Sequence, residues 1–138
     1  MKKRILILGG VIAFSGIIST FVMTQSKSEL DVNKAKAALE INASNIYKSF
    51  SDDEMKANEL YAGKVLKISG TLQAVDEDEQ GNYKLTLDTE GQMGNVVCTL
   101  ENHSPNSVKV LEIGHPVAVK GICTGYLFDV IIDKAIIL

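Results

Sequence analysis

Beyond its fourth residue the chain contains no arginine, and it has no tryptophan anywhere. Affinity for nucleic acid comes largely from cations that neutralise phosphates, and arginine is also the best reader of base edges. The absence therefore weighs against a nucleic-acid partner. With the three N-terminal cations set aside, 11 lysines face 17 carboxylates, a net charge near −6 over residues 24–138. That balance equally disfavours adhesion to an anionic membrane surface. Aromatics make up only 6% of the chain, which leaves few rings on which a single-strand binder could stack bases. Two cysteines are too few for a zinc site. Neither lies near the end of the N-terminal apolar run, which excludes a lipid-modified N-terminus of the bacterial lipoprotein kind. No phosphate-cradling glycine loop or nucleophile elbow occurs. His103 and His115 have no acid partner at triad spacing and read as turn residues. The expectation is a protein that is not an enzyme and needs no cofactor.

What is present begins with "MKKRILILGGVIAFSGIISTFVM", residues 1–23. Three cations precede 19 uncharged residues, Ile5 to Met23. As a helix that run spans about 28 Å, close to the ~30 Å hydrocarbon core of a bilayer. Lys2, Lys3 and Arg4 would stay on the cytoplasmic side and send the rest across. The expectation is a single-pass anchor in the cytoplasmic membrane with the C-terminal part outside the cytoplasm. The alternative is a cleaved signal peptide and a secreted or periplasmic product. The triplets at 24–26 and 26–28 are poor cleavage sites, however.

Residues 24–30, "TQSKSEL", read as a linker. Over residues 31–62 a helical segment is predicted. Val32, Ala35, Leu39, Ile46 and Phe50 recur at helical intervals, with Asn42 as a polar gap. Ser51 and Glu54 form a capping box for a second short helix, near 52–61, that would bury Met55 and Leu60. Gly63 ends it.

From residue 63 to 138 the pattern is β. Leu66, Ile68, Leu72 and Ala74 share one face of a strand over 64–75, with Gly70 interrupting their row. Tyr83, Leu85 and Leu87 mark a second strand, and Val96, Cys98 and Leu100 a third. "SPNSVKVLEIG" reads as a short helix or turn ending at Gly114. A fourth strand opens at Pro116 and aligns Val117, Val119, Gly121 and Cys123. A fifth, 128–138, aligns Phe128, Val130 and Ile132. "GKVLKISG" and "GHPVAVKG" echo one another, each reaching a glycine where a side chain is expected. A glycine inside a strand marks a bulge or bend. The order β-β-β-α-β-β, with a long coiled first strand, is that of the five-stranded Greek-key barrel called the OB-fold. The fold class expected is mainly β with some α: a transmembrane helix, two short helices, then this barrel.

Candidate functional residues are few. Cys98 and Cys123, 25 residues apart on inward faces, could form a disulfide worth about 3.5 kcal/mol on the chain-entropy estimate. They could equally remain as two buried thiols. Asp76, Asp78 and Gly81 begin like a calcium loop, but Gln80 and Leu87 stand where ligands are required, so this reads as an acidic hairpin turn. Lys64, Lys67, Tyr83, Lys84 and Tyr126 make up a candidate ligand face, with Tyr126 in the loop joining the last two strands.

"AN..Y.GK" (Ala57, Asn58, Tyr61, Gly63, Lys64), "ISGTL", "VVCTL" and "VKGICTGYLFDVII", after a basic-then-apolar start, resemble the tRNA_anti-like family of bacterial OB-fold proteins. The resemblance implies a small membrane-anchored or lipoprotein-type barrel. The family name records likeness to the anticodon-binding barrel of aminoacyl-tRNA synthetases and does not imply tRNA binding. Many relatives carry a further cysteine in the last strand, where this chain has Ala135. The expected function is a non-enzymatic, extracytoplasmic binding module for a protein, peptide or glycan. The alternative is an OB-fold nucleic-acid binder.

Overall fold

The computed structural model describes residues 30–101 and 105–138. The expected anchor (1–23), most of the linker and His103 lie outside the described residues. Among the described residues no helix is long and apolar enough to cross a membrane.

The elements are β1 (Leu39–Asn42), α1 (Ala43–Asp52), α2 (Glu54–Tyr61), β2 (Val65–Glu77), β3 (Tyr83–Leu87), β4 (Val96–Leu100), α3 (Pro105–Lys109), β5 (Pro116–Leu127) and β6 (Asp129–Ile137). The sheet order is β1-β2-β3-β4-β6-β5, and a further pairing of β2 with β5 closes it. Strands β2 to β6 are thus the five-stranded barrel expected from the sequence. Its interior holds Leu66, Ile68, Leu72, Leu85, Leu87, Val96, Cys98, Val119 and Ile132, all buried.

Strand β2 serves two sets of neighbours. Its first half pairs with β5, Val65 opposite Ile122 through Thr71 opposite Pro116, and its second half with β3. The register slips between Leu72 and Ala74, so Val75 and not Ala74 stands opposite Leu85 and packs on the core. The expected inward position of Ala74 is therefore corrected, because one extra residue in a bulge transfers every later side chain to the other face. Gly70 is needed for closeness more than for bending. A Cβ there would lie 3.1 Å from the Ala43 Cβ and 3.3 Å from the Leu87 Cβ. Its echo, Gly121, does sit in an irregularity, between Lys120 and Ile122 on the β6 side.

The helical segment departs most from expectation. Residues 39–42 form a strand that runs parallel to β2, Leu39 opposite Leu66 and Asn42 opposite Ser69. The polar gap at Asn42 is the N-cap of α1, its side chain accepting from the Asn45 amide at 2.8 Å. The cap of α2 is Asp53, which accepts from the Lys56 amide at 3.1 Å, and not Ser51. Ala57 and Tyr61, four residues apart, share the buried face of α2, while Met55 and Leu60, five apart, fall to its sides and are exposed. Asp53 wins because its carboxylate both accepts the amide and meets the positive end of the helix dipole.

Helix α1 lies across the end of the barrel where β3 and β5 finish and β4 and β6 begin. Its Ala43 approaches Gly70 and Leu87, and its Tyr47 approaches Gly94 and Tyr126. Ile46, Tyr47 and Phe50 are buried in the common core.

Candidate binding surface

The five residues of the predicted ligand face do not form one face. Lys64 precedes β2, with its Nζ 3.5 Å from the Glu59 carbonyl. Lys67 pairs with Glu40 of β1 at 3.3 Å. Tyr83 and Lys84 begin β3, opposite Glu77 and Asp76 at the far end of β2. Asp76 lies nine residue steps along β2 from Lys67, about 30 Å of strand contour. Tyr126 lies at a third place. Its ring stacks on Phe50, centroids 5.7 Å apart at 15°, and meets Tyr47 edge-on at 5.8 Å. A hydrogen bond with Tyr47, and then burial, raises the Tyr126 hydroxyl above its ordinary range. One face of the ring that could have stacked on a ligand is thus filled by the chain's own Phe50.

The face by which OB-folds most often hold oligonucleotides and oligosaccharides is that of their second and third strands, here β3 and β4. Its outward positions are Lys84, Thr86, Val97 and Thr99, with a single cation among them. The adjoining end of β2 and its turn into β3 carry Asp76, Glu77, Asp78 and Glu79. Asp78 closes that turn by accepting from the Gln80 and Asn82 amides, both at 2.9 Å. Its contacts with Asn82 hold the carboxyl below the usual range.

Cys98 and Cys123 are free and buried. Both stand opposite Ile132, Cys98 from β4 and Cys123 from β5, so strand β6 runs between them. Two strand spacings put their backbones roughly 9.6 Å apart. A disulfide needs Cα atoms within about 7 Å, so of the two alternatives the structure shows the pair of buried thiols, and a cross-link would require the sheet to open. Burial pushes the Cys98 thiol up to about 12 and the Cys123 thiol up to about 11. Since the thiolate is the reactive form, iodoacetamide at pH 8 should leave both unmodified in the folded chain and label both in urea, as read by intact mass. Labelling of either thiol before unfolding would contradict their placement.

The surface that sequence reasoning missed lies beside the β5–β6 hairpin. An open groove of about 460 Å³ is lined by Glu54 and Asn58 of α2, Thr124, Gly125, Tyr126 and Leu127 of β5, and Ile131 of β6. At its edge Leu127 is 85% exposed and Phe128 60% exposed. Phe128 was expected to point inward with Val130. It occupies the turn instead, at φ 66°, and its side chain faces solvent. Met93, 86% exposed, extends from the neighbouring β3–β4 loop. That loop is held against α1 by Gln92, which donates to the Ser44 carbonyl at 3.0 Å, and internally by buried Thr89, which donates to the Gly94 carbonyl. It is joined to the hairpin by the Asn95 amide, which donates to Asp129 at 2.7 Å. The available signal was "GYLFDV", a strand junction with two large apolar residues where turn formers belong.

A family model described as tRNA_anti-like matches residues 1–137. No curated protein matches the chain. Among solved structures, a lipoprotein of Klebsiella pneumoniae, described as inferred to bind nucleic acid, aligns over 72% of this chain and 92% of its own. The TM-score is 0.57 and the identity 16%. A Schizosaccharomyces pombe Stn1–Ten1 complex aligns over 54% of this chain and 57% of the matched one, with TM-score 0.41 and 21% identity. Asparaginyl-tRNA synthetase of Entamoeba histolytica aligns over 55% and 21%, with TM-score 0.43 and 14% identity. At these identities the first likeness speaks to fold alone.

Proposed function

The chain belongs to the tRNA_anti-like family, and from that premise we propose a membrane-tethered, non-enzymatic OB-fold module, displayed outside the cytoplasm, that binds a protein, peptide or glycan. The tether is the uncharged run Ile5 to Met23 behind its three cations. The observation that carries the choice of partner is electrostatic. The lysines read as a ligand face are scattered, Lys67 beside Glu40 and Lys84 opposite Asp76, with four consecutive acids at the turn that OB-folds often close over a ligand. A polyanion entering there would meet carboxylates before it met cations. A rigid barrel with an exposed apolar edge at its β5–β6 turn suits a protein or glycan surface better.

A second reading, nucleic-acid binding, is favoured by the description of the Klebsiella pneumoniae lipoprotein. The two part in a single titration of the full-length chain with labelled single-stranded DNA and RNA at low salt, followed by fluorescence anisotropy. The expected result is no binding tighter than about micromolar, since each missing phosphate contact also removes salt-sensitive affinity. Tighter binding that falls steeply with added salt would reverse the order of the two readings.

A further inference from the structure

The turn between β5 and β6 is made of residues that turns avoid. Tight hairpins place Gly, Asn or Asp where φ is positive. Here Leu127 pairs with Asp129, and the residue between them is Phe128 at φ 66°. A bulky side chain in that region is rare, and such backbone strain concentrates at functional sites. Phe128 does not repay the strain by burial. With Leu127 and Met93 it forms an exposed apolar edge, and the Gly94 backbone next to Met93 lies directly against the Phe128 carbonyl. Adjacent large apolar side chains in water are the usual anchors of an interface.

The groove behind this edge adds a charge preference. Tyr126, Leu127 and Ile131 form its apolar wall, Asn58 and Glu54 of α2 stand across it, and among the described residues Glu54 is the only charged one in the lining. Asp129 at the tip and Glu90 in the neighbouring loop have the same sign. A second copy of the chain would bring the same carboxylates to the contact, and an anionic lipid surface would be repelled.

We propose that the β5–β6 tip and its groove form a docking site for an extended basic segment of a partner protein, an apolar side chain packing against Tyr126, Leu127 and Ile131 while a neighbouring lysine or arginine meets the Glu54 carboxylate. This rests on the binding-module reading and narrows its partner to a cationic, apolar-bearing peptide. A carboxylate at the edge of an apolar groove supplies orientation, and the apolar contact supplies most of the affinity.

The test uses the full-length chain immobilised against a random short-peptide library, with the enriched peptides then titrated onto the wild type and two variants. Enriched sequences should combine an aromatic or aliphatic residue with a neighbouring lysine or arginine. Their affinity should fall about tenfold or more on Phe128→Gly and several-fold on Glu54→Gln. Binding to the wild type and to Phe128→Gly should weaken more steeply with added salt than binding to Glu54→Gln. Glycine suits the positive φ, so Phe128→Gly should keep or raise the melting temperature. A melting temperature lowered by several degrees would mean that the tip is structural, and the proposal would fall. Peptides that bind the variants as well as the wild type would also overturn it, yet would leave the binding-module reading standing. Sedimentation showing a dimer lost on Phe128→Gly would replace the partner with a second copy. A library yielding no peptide would overturn the docking site and count against a peptide-binding module as well.

Discussion

Gly121→Val should lower the stability of the barrel by about 3 kcal/mol or more, a large share of what a domain of this size possesses. Gly121 is buried in β5, opposite Leu66, at the irregularity in the β5–β6 ladder. A Cβ there would sit 2.5 Å from the Ile132 Cγ2, 3.0 Å from the Asp133 carbonyl and 3.1 Å from the Ala135 Cα. Two of these three neighbours are backbone. The third belongs to a side chain held between Cys98 and Cys123 with no exposed surface. Nothing near can yield without β6 moving, and valine adds two methyl groups beyond the first clash. Urea unfolding, extrapolated linearly to water, measures the loss. Gly114→Ala provides the comparison. A Cβ at Gly114 would meet no atom within 4 Å, but the backbone φ is 88°, so the cost should be only about 1 kcal/mol. A Gly121→Val chain as stable as the Gly114 variant would show that the β5–β6 contact is looser than these distances require.

The second large effect is expected at Phe50. It is 1% exposed and stacks on Tyr126, while Tyr61 lies 5.9 Å away at a tilt of 43°. Phe50→Ala should cost about 3–5 kcal/mol, from lost transfer energy and the cavity left behind. Phe50→Leu should keep most of the burial and cost far less. Tyr126 joins α1 to the β5–β6 hairpin through this stack, so Phe50→Ala and Tyr126→Ala should be non-additive in a double-mutant cycle, with a coupling of about 0.5–1.5 kcal/mol. Additive losses would mean that the rings are neighbours without being partners. The same cycle bears on the groove, because Phe50 holds the Tyr126 ring that forms its wall.

The inward rows of the barrel were legible from the chain alone. Leu85 with Leu87, Val96 with Cys98, and Val117 with Val119 alternate every second residue, and a strand with one buried face leaves no other register open to them. Gly63 at the end of α2 and Gly114 after α3 were legible too, since each takes the positive φ that punctuation by glycine implies. Elsewhere the same patterns misled, for identifiable reasons. Val32, Ala35 and Leu39 fit a helical stripe, but Leu39–Asn42 found the open edge of β2 before β3 begins. Local spacing cannot report a vacant neighbour 27 residues away. Ala74 lost its inward place to a bulge that changes the phase of the strand. Phe128 fitted the apolar row of β6 and was moved out by the turn, whose position depends on how β5 and β6 pair.

The candidate surface divides in the same way. That residues 24–138 are acidic and free of arginine is a matter of composition, and no fold can alter it. The family followed from motifs spread along the chain, with the barrel order beneath them. Which side chains meet was decided only by closure of the barrel. It set strand β6 between the two cysteines, put Lys67 and Lys84 on distant parts of β2 and β3, covered Tyr126 with Phe50, and left Leu127 and Phe128 in water beside a groove. Periodicity records which way each residue faces along its own strand. It carries no information about the neighbour supplied by another part of the chain, and contacts between elements, on which a binding site depends, are of that second kind.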